Sequence, residues 1–249
     1  MGEQGSDSKL PTCSVPLSDK YRFGLASVLR KSQAKANELL VKSANLGYGP
    51  ANVFLSNMHF QGTDGFEKDK DEAYYRASGA MALDGSDKAA AMLLGLWHQF
   101  PYEGIITEPS DYLACYYLNH VAATEDHGGM YSYLYCQSLQ TLNKHLHNGP
   151  LSIPGFDMVP ALFFWMRRSR DLGYSHALNQ LKKWESLGQS LCANCSKEAQ
   201  NGEKFKQCSK CRAHWYCSKE CQVEAWGAGH KKDCKRARVI KFEDYLNAE

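Results

Sequence analysis

The feature that most constrains this chain is a cluster of cysteines: seven of its ten cysteines lie between Cys192 and Cys234. With His230 they form four pairs of metal-ligand side chains, which are Cys192 and Cys195, Cys208 and Cys211, Cys217 and Cys221, and His230 and Cys234. A gap of two residues lets one turn direct both side chains at one ion, and a gap of three puts both on one helix face. Zn²⁺ takes four such ligands in a tetrahedron, so the spacing predicts two zinc sites.

The same cysteines argue against a disulfide-stabilised secreted protein. Disulfide scaffolds are small and evenly studded with cysteine, whereas this chain has 249 residues and only scattered cysteines before Cys192. Its start shows no basic stretch followed by an apolar core, and its longest apolar run is too short to cross a membrane. We therefore expect an intracellular protein, in the cytoplasm or the nucleus, that does not bind membranes.

The charge of the chain argues against nucleic acid as a direct ligand. The net charge is +2, and residues 191–249 carry 12 basic and 8 acidic side chains. Seven thiolates around two Zn²⁺ would cancel most of that local excess. The basic run from Lys231 to Arg238 is interpreted as a solvated helix face, with a nuclear address or a nucleic-acid contact as the alternative.

The long stretch before the cysteine cluster has the pattern of helices. Helix-forming residues dominate, small and apolar side chains recur three and four positions apart, and strand-like alternation is absent. One predicted buried face contains Ala36, Leu39 and Ala44, and a second contains Ala73 and Ala77. This part of the chain is therefore expected to be all-α.

Glycines divide the helical stretch into similar units. Gly47, Gly85 and Gly173 each follow a helical pattern and precede an alanine by four residues, and Gly129 marks a degenerate further copy. A helix–turn–helix unit of 38–44 residues, the spacing of these glycines, cannot bury its apolar face alone, so stacked copies predict an α-solenoid. The alternative is a plain helical bundle in which the glycine spacing is a coincidence.

The units resemble Sel-one-like repeats, which are relatives of the tetratricopeptide repeat, over roughly residues 30–185. The matching residues are Ala73–Ala77 with Gly85 and Ala89, Leu94–Trp97, and Ala44 and Gly47 with Ala51 and Gly62. Two units are long for the family, and a loop rich in glycine and proline is inserted at 149–155. The resemblance implies a concave surface that binds other proteins, and it implies no chemistry.

The string Cys217-Ser218-Lys219-Glu220-Cys221-Gln222, with Tyr216 before it and Trp226 and His230 after it, closely resembles the MYND zinc finger. The resemblance spans residues 192–234 and implies that the ligand pairs interleave, which spacing alone leaves open. If the ligand pairing of the MYND family applies here, one ion would be held by Cys192, Cys195, Cys217 and Cys221. The other would be held by Cys208, Cys211, His230 and Cys234. Three residues, where the family commonly has two, separate Trp226 from His230.

Both zinc sites are expected to be structural, because four protein ligands leave no open coordination position for a substrate. His214, which follows Cys211 closely, is an alternative ligand, and we interpret it as a surface residue. The MYND resemblance also implies that Ser218, Gln222 and Trp226 receive short proline-rich segments. The alternative is that Trp226 only packs the small core of the finger while Gln222 is solvated.

No phosphate-binding loop or nucleophile elbow occurs in the sequence, so we assign no catalytic residues and expect no enzyme. The predicted plan is a disordered lead-in (1–18), a Sel-one-like helical repeat domain (19–190), a MYND-type finger (191–236) and a C-terminal tail (237–249). The predicted function is a non-catalytic, zinc-binding adaptor whose partners are proteins, including proline-rich segments. The alternatives are a transcriptional co-regulator that acts at chromatin through the finger, and an enzyme that uses the repeat groove.

Overall fold

The computed structural model of the chain describes residues 19–100, 109–124, 126–148, 156–200 and 202–248. The predicted lead-in over residues 1–18 and the inserted loop at 149–155 lie outside the described residues. Within the described residues, no helix combines the length and the apolarity needed to cross a membrane.

The first part of the chain is a layer of helices, called the helical layer below. Its members are α1 (Asp19–Asn45), α2 (Gly49–Gln61), α3 (Lys70–Leu83), α4 (Lys88–Gln99), α5 (Asp111–Ala122), α6 (Met130–Asn148), α7 (Val159–Asp171) and α8 (Ser175–Ser190). Each helix packs on the helix before it and the helix after it. This nearest-neighbour packing is that of a solenoid, so the predicted fold class is confirmed. The Sel-one-like resemblance within it stays a prediction.

Local sequence signals start these helices. Asp69 accepts hydrogen bonds from two backbone N–H groups at the start of α3, and Asp87 does the same for α4. Ser110 caps α5 through its hydroxyl, which accepts from the N–H of Leu113. Proline occupies the first turn of α2 and of α7, where its missing N–H costs no helical hydrogen bond.

The repeated glycines lie between the two helices of each pair, as their spacing predicts. Gly47, Gly129 and Gly173 have positive φ angles of 87°, 75° and 100°, which other residues adopt only with strain. Gly85 lies outside that conformation, because the Asp84 carboxylate accepts from the N–H of Ser86 and closes the turn instead. A glycine therefore lies at the turn of each helix pair, although the backbone conformation of that glycine differs between the pairs.

The predicted buried face of α1 is only partly correct. Ala44 is buried, packed with Leu40 and Val41, whereas Ala36 is exposed and Leu39 is 54% exposed. The reason is that α1 is packed mainly against α2, so a narrower stripe of it is covered. The second predicted face is confirmed, since Ala73 and Ala77 are fully buried.

The segment after α8 is built from short elements. They are β1 (Lys206–Gln207), β2 (Trp215–Tyr216), α9 (Lys219–Ala225), a kinked junction (Trp226–His230), α10 (Lys231–Arg236) and α11 (Phe242–Asn247). β1 and β2 are antiparallel, with Lys206 opposite Tyr216. Elements this short cannot form a hydrophobic core of their own.

The missing core is supplied by the helical layer. One continuous cluster of buried side chains joins Trp165 of α7 and Leu181 of α8 to Trp215 and Tyr216 of β2. Gly188 allows the contact, because a Cβ atom at this position would overlap the ring of Trp215. The segment is therefore packed on the helices as part of the same core.

The residues predicted as a C-terminal tail contain α11, which also packs on the helical layer. Phe242 is fully buried, with its ring 5.3 Å from that of Tyr112 and 6.2 Å from that of Tyr135. The side chain of Asn119 on α5 donates to the carbonyl of Ile240 and accepts from the N–H of Phe242. We call this pair of hydrogen bonds the Asn119 clasp, and it fixes the chain just after α10.

Candidate metal centre

The structure brings the eight predicted ligands together in two groups, with each group's ligand atoms within 4.8 Å of one another. The first group, called the outer cluster, consists of Cys192, Cys195, Cys217 and Cys221. Its Sγ atoms are 3.7 Å apart between Cys195 and Cys217 and 3.6 Å apart between Cys217 and Cys221. Cys192 is buried, whereas Cys195 is exposed and the other two are half-buried.

The second group, called the inner cluster, consists of Cys208, Cys211, His230 and Cys234. The Nε2 atom of His230 is 3.4 Å from the Sγ of Cys208 and 3.7 Å from the Sγ of Cys211. All four side chains are buried. The ligand pairs therefore interleave along the chain, as the family resemblance implies.

The two Cys-x-x-Cys turns have the same backbone design. The N–H of Ser196 donates to the carbonyl of Cys192 at 3.0 Å, and the N–H of Arg212 donates to that of Cys208 at 2.9 Å. Ser196 and Arg212 both have positive φ angles, 57° and 53°. Each chain reversal aims two thiols to the same side, which is the geometry that a tetrahedral ion needs.

A kink accommodates the extra residue before His230. Gly229 has φ 147° and ψ −24° at the kink, a conformation open to glycine and strained for other residues. The kink separates the direction of α9 from that of α10, so the side chain of His230 still reaches the inner cluster. The backbone kink at Gly229 thus accommodates the extra residue between Trp226 and His230.

The surroundings of Cys192 and His230 favour the protonation states that bind metal, whereas burial raises the pKa of Cys211, Cys217 and Cys234. Burial opposes ionisation of Cys192, but backbone N–H groups of Cys195, Cys217 and Asn194 outweigh it and lower its pKa to about 6. Burial, with the neighbouring charge of His214, lowers the pKa of His230 to about 4. A neutral imidazole and an ionised thiol are the forms that bind Zn²⁺.

His214 is not the surface residue that the sequence suggested. Its Nε2 is 2.9 Å from the Oδ2 of Asp157, and its side chain is 12% exposed. The other carboxylate oxygen of Asp157 accepts from the N–H of Val159 at the start of α7. The ring of His214 stands edge-on to that of His230 with centroids 4.7 Å apart, so it packs beside the inner cluster without belonging to it.

Arg167 of α7 is a supporting residue that sequence reasoning missed. Its guanidinium donates to the carbonyl of Cys211 at 3.0 Å and to that of Arg212, while it pairs with Glu185 at 3.2 Å. The helical layer thus holds in place, through these hydrogen bonds, the turn that carries Cys208 and Cys211 of the inner cluster. An arginine in a helix carries no local signal for this role, because its partners lie far along the chain.

The donor set suits two structural zinc ions. Four thiols form one group, and three thiols with one imidazole form the other, which are the compositions of closed structural zinc sites. Zinc at these positions would supply folding free energy to a segment of short elements, because it crosslinks residues that are distant in the sequence.

Comparison with known proteins assigns the segment. The family model "MYND finger" matches residues 192–234, so this part of the chain is a MYND-type zinc finger, called the finger below. A SET and MYND domain-containing protein of Dictyostelium discoideum is 40% identical over 53 residues, or 20% of this chain and 10% of that protein. The MYND-type zinc finger protein MUB1 of Saccharomyces cerevisiae is 41% identical over 51 residues, or 20% of this chain and 8% of that protein.

The matched region thus spans about a tenth or less of the length of these relatives. No solved structure matches the chain. The finger is a zinc-binding module for protein–protein interaction, as its family is.

The residues predicted to bind peptide lie on or beside α9. Ser218 caps this helix, since its hydroxyl accepts from the N–H of Cys221 at 3.2 Å. Gln222 and Trp226 are half-buried and one helical turn apart, and the N–H of Trp226 donates to the carbonyl of Gln222. The Nζ of Lys210 lies 5.1 Å from the centre of the Trp226 ring.

Proposed function

We propose that the protein is a non-catalytic adaptor that joins protein partners through its finger and its helical layer. In this proposal, one Zn²⁺ is held by the outer cluster and one by the inner cluster, with the eight predicted residues as ligands. Each ion has four protein ligands, so it holds the fold and offers no position to a substrate. The protein acts inside the cell, in the cytoplasm or the nucleus.

The binding surface of the finger is the face formed by Gln222 and Trp226. The observation that carries this assignment is that an indole ring remains half-exposed beside a metal cluster, next to a polar side chain. An aromatic ring with a neighbouring amide suits an extended proline-rich segment, because proline packs on the ring and its flanking carbonyls accept from the amide. Ser218 positions this face by capping α9.

The helical layer supplies the second surface. Aromatic side chains remain uncovered on several of its helices, including Phe54 on α2, which is 61% exposed, and Tyr75 on α3, which is 66% exposed. Exposed aromatic groups on a stacked-helix scaffold provide apolar contact area for another protein.

Titration calorimetry of the zinc-loaded full chain against proline-containing peptides tests the finger surface. We expect binding that is lost when the prolines are replaced by alanine, and weakened at least fivefold by Gln222→Ala and by Trp226→Phe. Gln200→Ala is the matched control, because Gln200 is an exposed glutamine of the same finger. If both variants bind like the wild type while their zinc content is unchanged, the proposed peptide surface is wrong.

A second candidate is a transcriptional co-regulator that acts at chromatin through the finger. The observation that favours it is the exposed basic face of α10, formed by Lys231, Lys232 and Lys235. Direct DNA contact would show as retention on duplex DNA that falls steeply as salt rises. A chain that acts through protein partners would show no such retention.

A further inference from the structure

A groove of about 650 Å³ separates α7 from the inner cluster and from the chain that follows α10. Part of its lining is apolar and comes from Pro160, Phe164 and Leu172. Its cationic lining residues are Arg167, Arg168, Lys210, Arg212 and Arg238. The groove lies beside the Gln222–Trp226 face and shares Lys210 with it, since the Nζ of Lys210 lies 5.1 Å from the centre of the Trp226 ring.

Most of the positive charge in the groove is unpaired within the described residues. Arg167 is used in gripping the Cys211 turn and in its pair with Glu185. The remaining four cations form no ion pair with any described carboxylate. Asp171, the acidic residue of the lining, is held by Arg170 at 2.7 Å.

The groove is held in shape by the contacts that fix the finger on α7. Arg167 donates to the carbonyls of Cys211 and Arg212, and Gln207 donates to that of Arg212 at 2.8 Å. Arg238 donates to the carbonyl of Lys210 at 3.1 Å. The guanidinium of Arg168 lies 5.6 Å from the centre of the Trp165 ring, so it too is supported by the core.

The inner cluster cancels only part of this charge. Three thiolates, one neutral imidazole and one Zn²⁺ sum to a single negative charge, against four unpaired cations. A concave site with apolar walls concentrates the resulting positive potential. The groove therefore attracts an anion that also has apolar surface to cover Phe164 and Leu172.

We propose that this groove binds an acidic peptide segment of a partner protein, with carboxylates on the four cations and one apolar side chain on the floor. The volume is in the range of sites that enclose a few side chains. A nucleic-acid backbone would satisfy the cations but leave the apolar floor uncovered, so the lining favours the peptide. The acidic ligand differs from the proline-rich ligand proposed for the Trp226 face, and the variants that test it leave Lys210, the residue that the two surfaces share, unchanged.

Fluorescence polarisation with labelled short peptides tests the proposal on the zinc-loaded full chain. The probes combine several Asp or Glu residues with one Leu or Phe, and a second set carries Asn and Gln at the same positions. We expect the acidic set to bind, the amide set not to bind, and the affinity of the acidic set to fall as salt rises. Arg168→Gln and Arg238→Gln should each weaken binding about two- to fivefold, as expected for partly exposed charge pairs.

Lys42→Gln is the matched control, because Lys42 is an exposed cation on α1 and should leave binding unchanged. Arg212→Gln serves as a further variant if either arginine variant has an altered melting temperature or zinc content, since Arg212 is exposed. The proposal fails if acidic and amide peptides bind alike or neither binds. It also fails if duplex DNA binds more tightly than the acidic peptides and is weakened by the same variants.

Discussion

The two metal clusters of the finger contain similar ligands but differ in their surroundings. The outer cluster faces solvent, with Cys195 exposed, whereas every ligand of the inner cluster is buried. The inner cluster is also gripped from α7 by Arg167. The outer cluster thus holds the finger together, and the inner cluster additionally holds it on the helical layer.

This difference indicates that the finger and the helical layer stabilise each other, and that the inner cluster contributes more to this than the outer cluster does. Loss of a metal ion from a site in a common core destabilises that core. An exposed site can instead open locally, without unfolding the rest of the chain. The two clusters should therefore differ in how tightly they retain zinc and in how far their loss spreads.

Removing one ligand from each cluster should give the largest contrast. His230→Ala should lose the inner ion and destabilise the whole chain, because a structural zinc contributes on the order of 10 kcal/mol in an isolated finger. Cys195→Ser should lose the outer ion while the helical layer melts nearly as before. Zinc content by plasma mass spectrometry and thermal melts followed by circular dichroism measure both effects. Equal destabilisation by the two variants would contradict the comparison.

Phe242→Ala should weaken the inner cluster from a distance. The side chain is fully buried between α5 and α6, so its removal should cost about 3–5 kcal/mol in the free energy of unfolding. Zinc release to a chromophoric chelator should accelerate for the inner ion and not for the outer one. Phe54→Ala is the matched control, since Phe54 is 61% exposed and should change neither quantity.

Gly188→Ala should loosen the contact between α8 and β2. A methyl group at this position overlaps the Trp215 ring, and relief of such overpacking costs up to about 3 kcal/mol. Denaturant unfolding measures the loss. Gly79→Ala, in the middle of α3, has open space around the added methyl and should be neutral or slightly stabilising. If the two alanines behave alike, the finger is not packed on α8 as described.

Gly229→Ala should have the smallest effect, confined to the inner cluster. Its φ of 147° becomes strained with a side chain, at a cost of about 1–2 kcal/mol. That cost should lower the affinity of the inner site for zinc by roughly tenfold, because 1.4 kcal/mol is a factor of ten. Gly227→Ala, two residues earlier and with nothing within 4 Å of its added methyl, should keep the wild-type affinity. Competition with a zinc chelator distinguishes the two.

The sequence predicts the finger well because its information is local. Pairs of ligands two or three residues apart define each turn, and the family resemblance supplies the interleaving of the pairs. The turns of the helical layer are equally local, since Gly47 and Gly173 mark them by a conformation that glycine favours. The helices and the two zinc sites could therefore be predicted from the sequence alone.

The parts that could not be inferred depend on contacts between distant segments. The apolar pattern of α1 predicts that Leu39 is buried with Ala44, but the packing of α2 covers Ala44 and leaves Leu39 exposed. The six residues of α11 are too few to show a helical period, so Phe242 gives no sign of its buried partner. The basic groove likewise forms where α7 meets the finger. The sequence of neither segment predicts this contact.

The Asn119 clasp has a consequence for the order of events during synthesis. Asn119 is separated by 121 and 123 residues from its two partners, so α5 leaves the ribosome long before the segment that it binds. At ordinary rates of translation the delay is on the order of ten seconds. During that interval the pocket that receives Phe242 remains open on a nascent helical layer. The contact of Phe242 with the rings of Tyr112 and Tyr135 therefore forms only after the finger has been made.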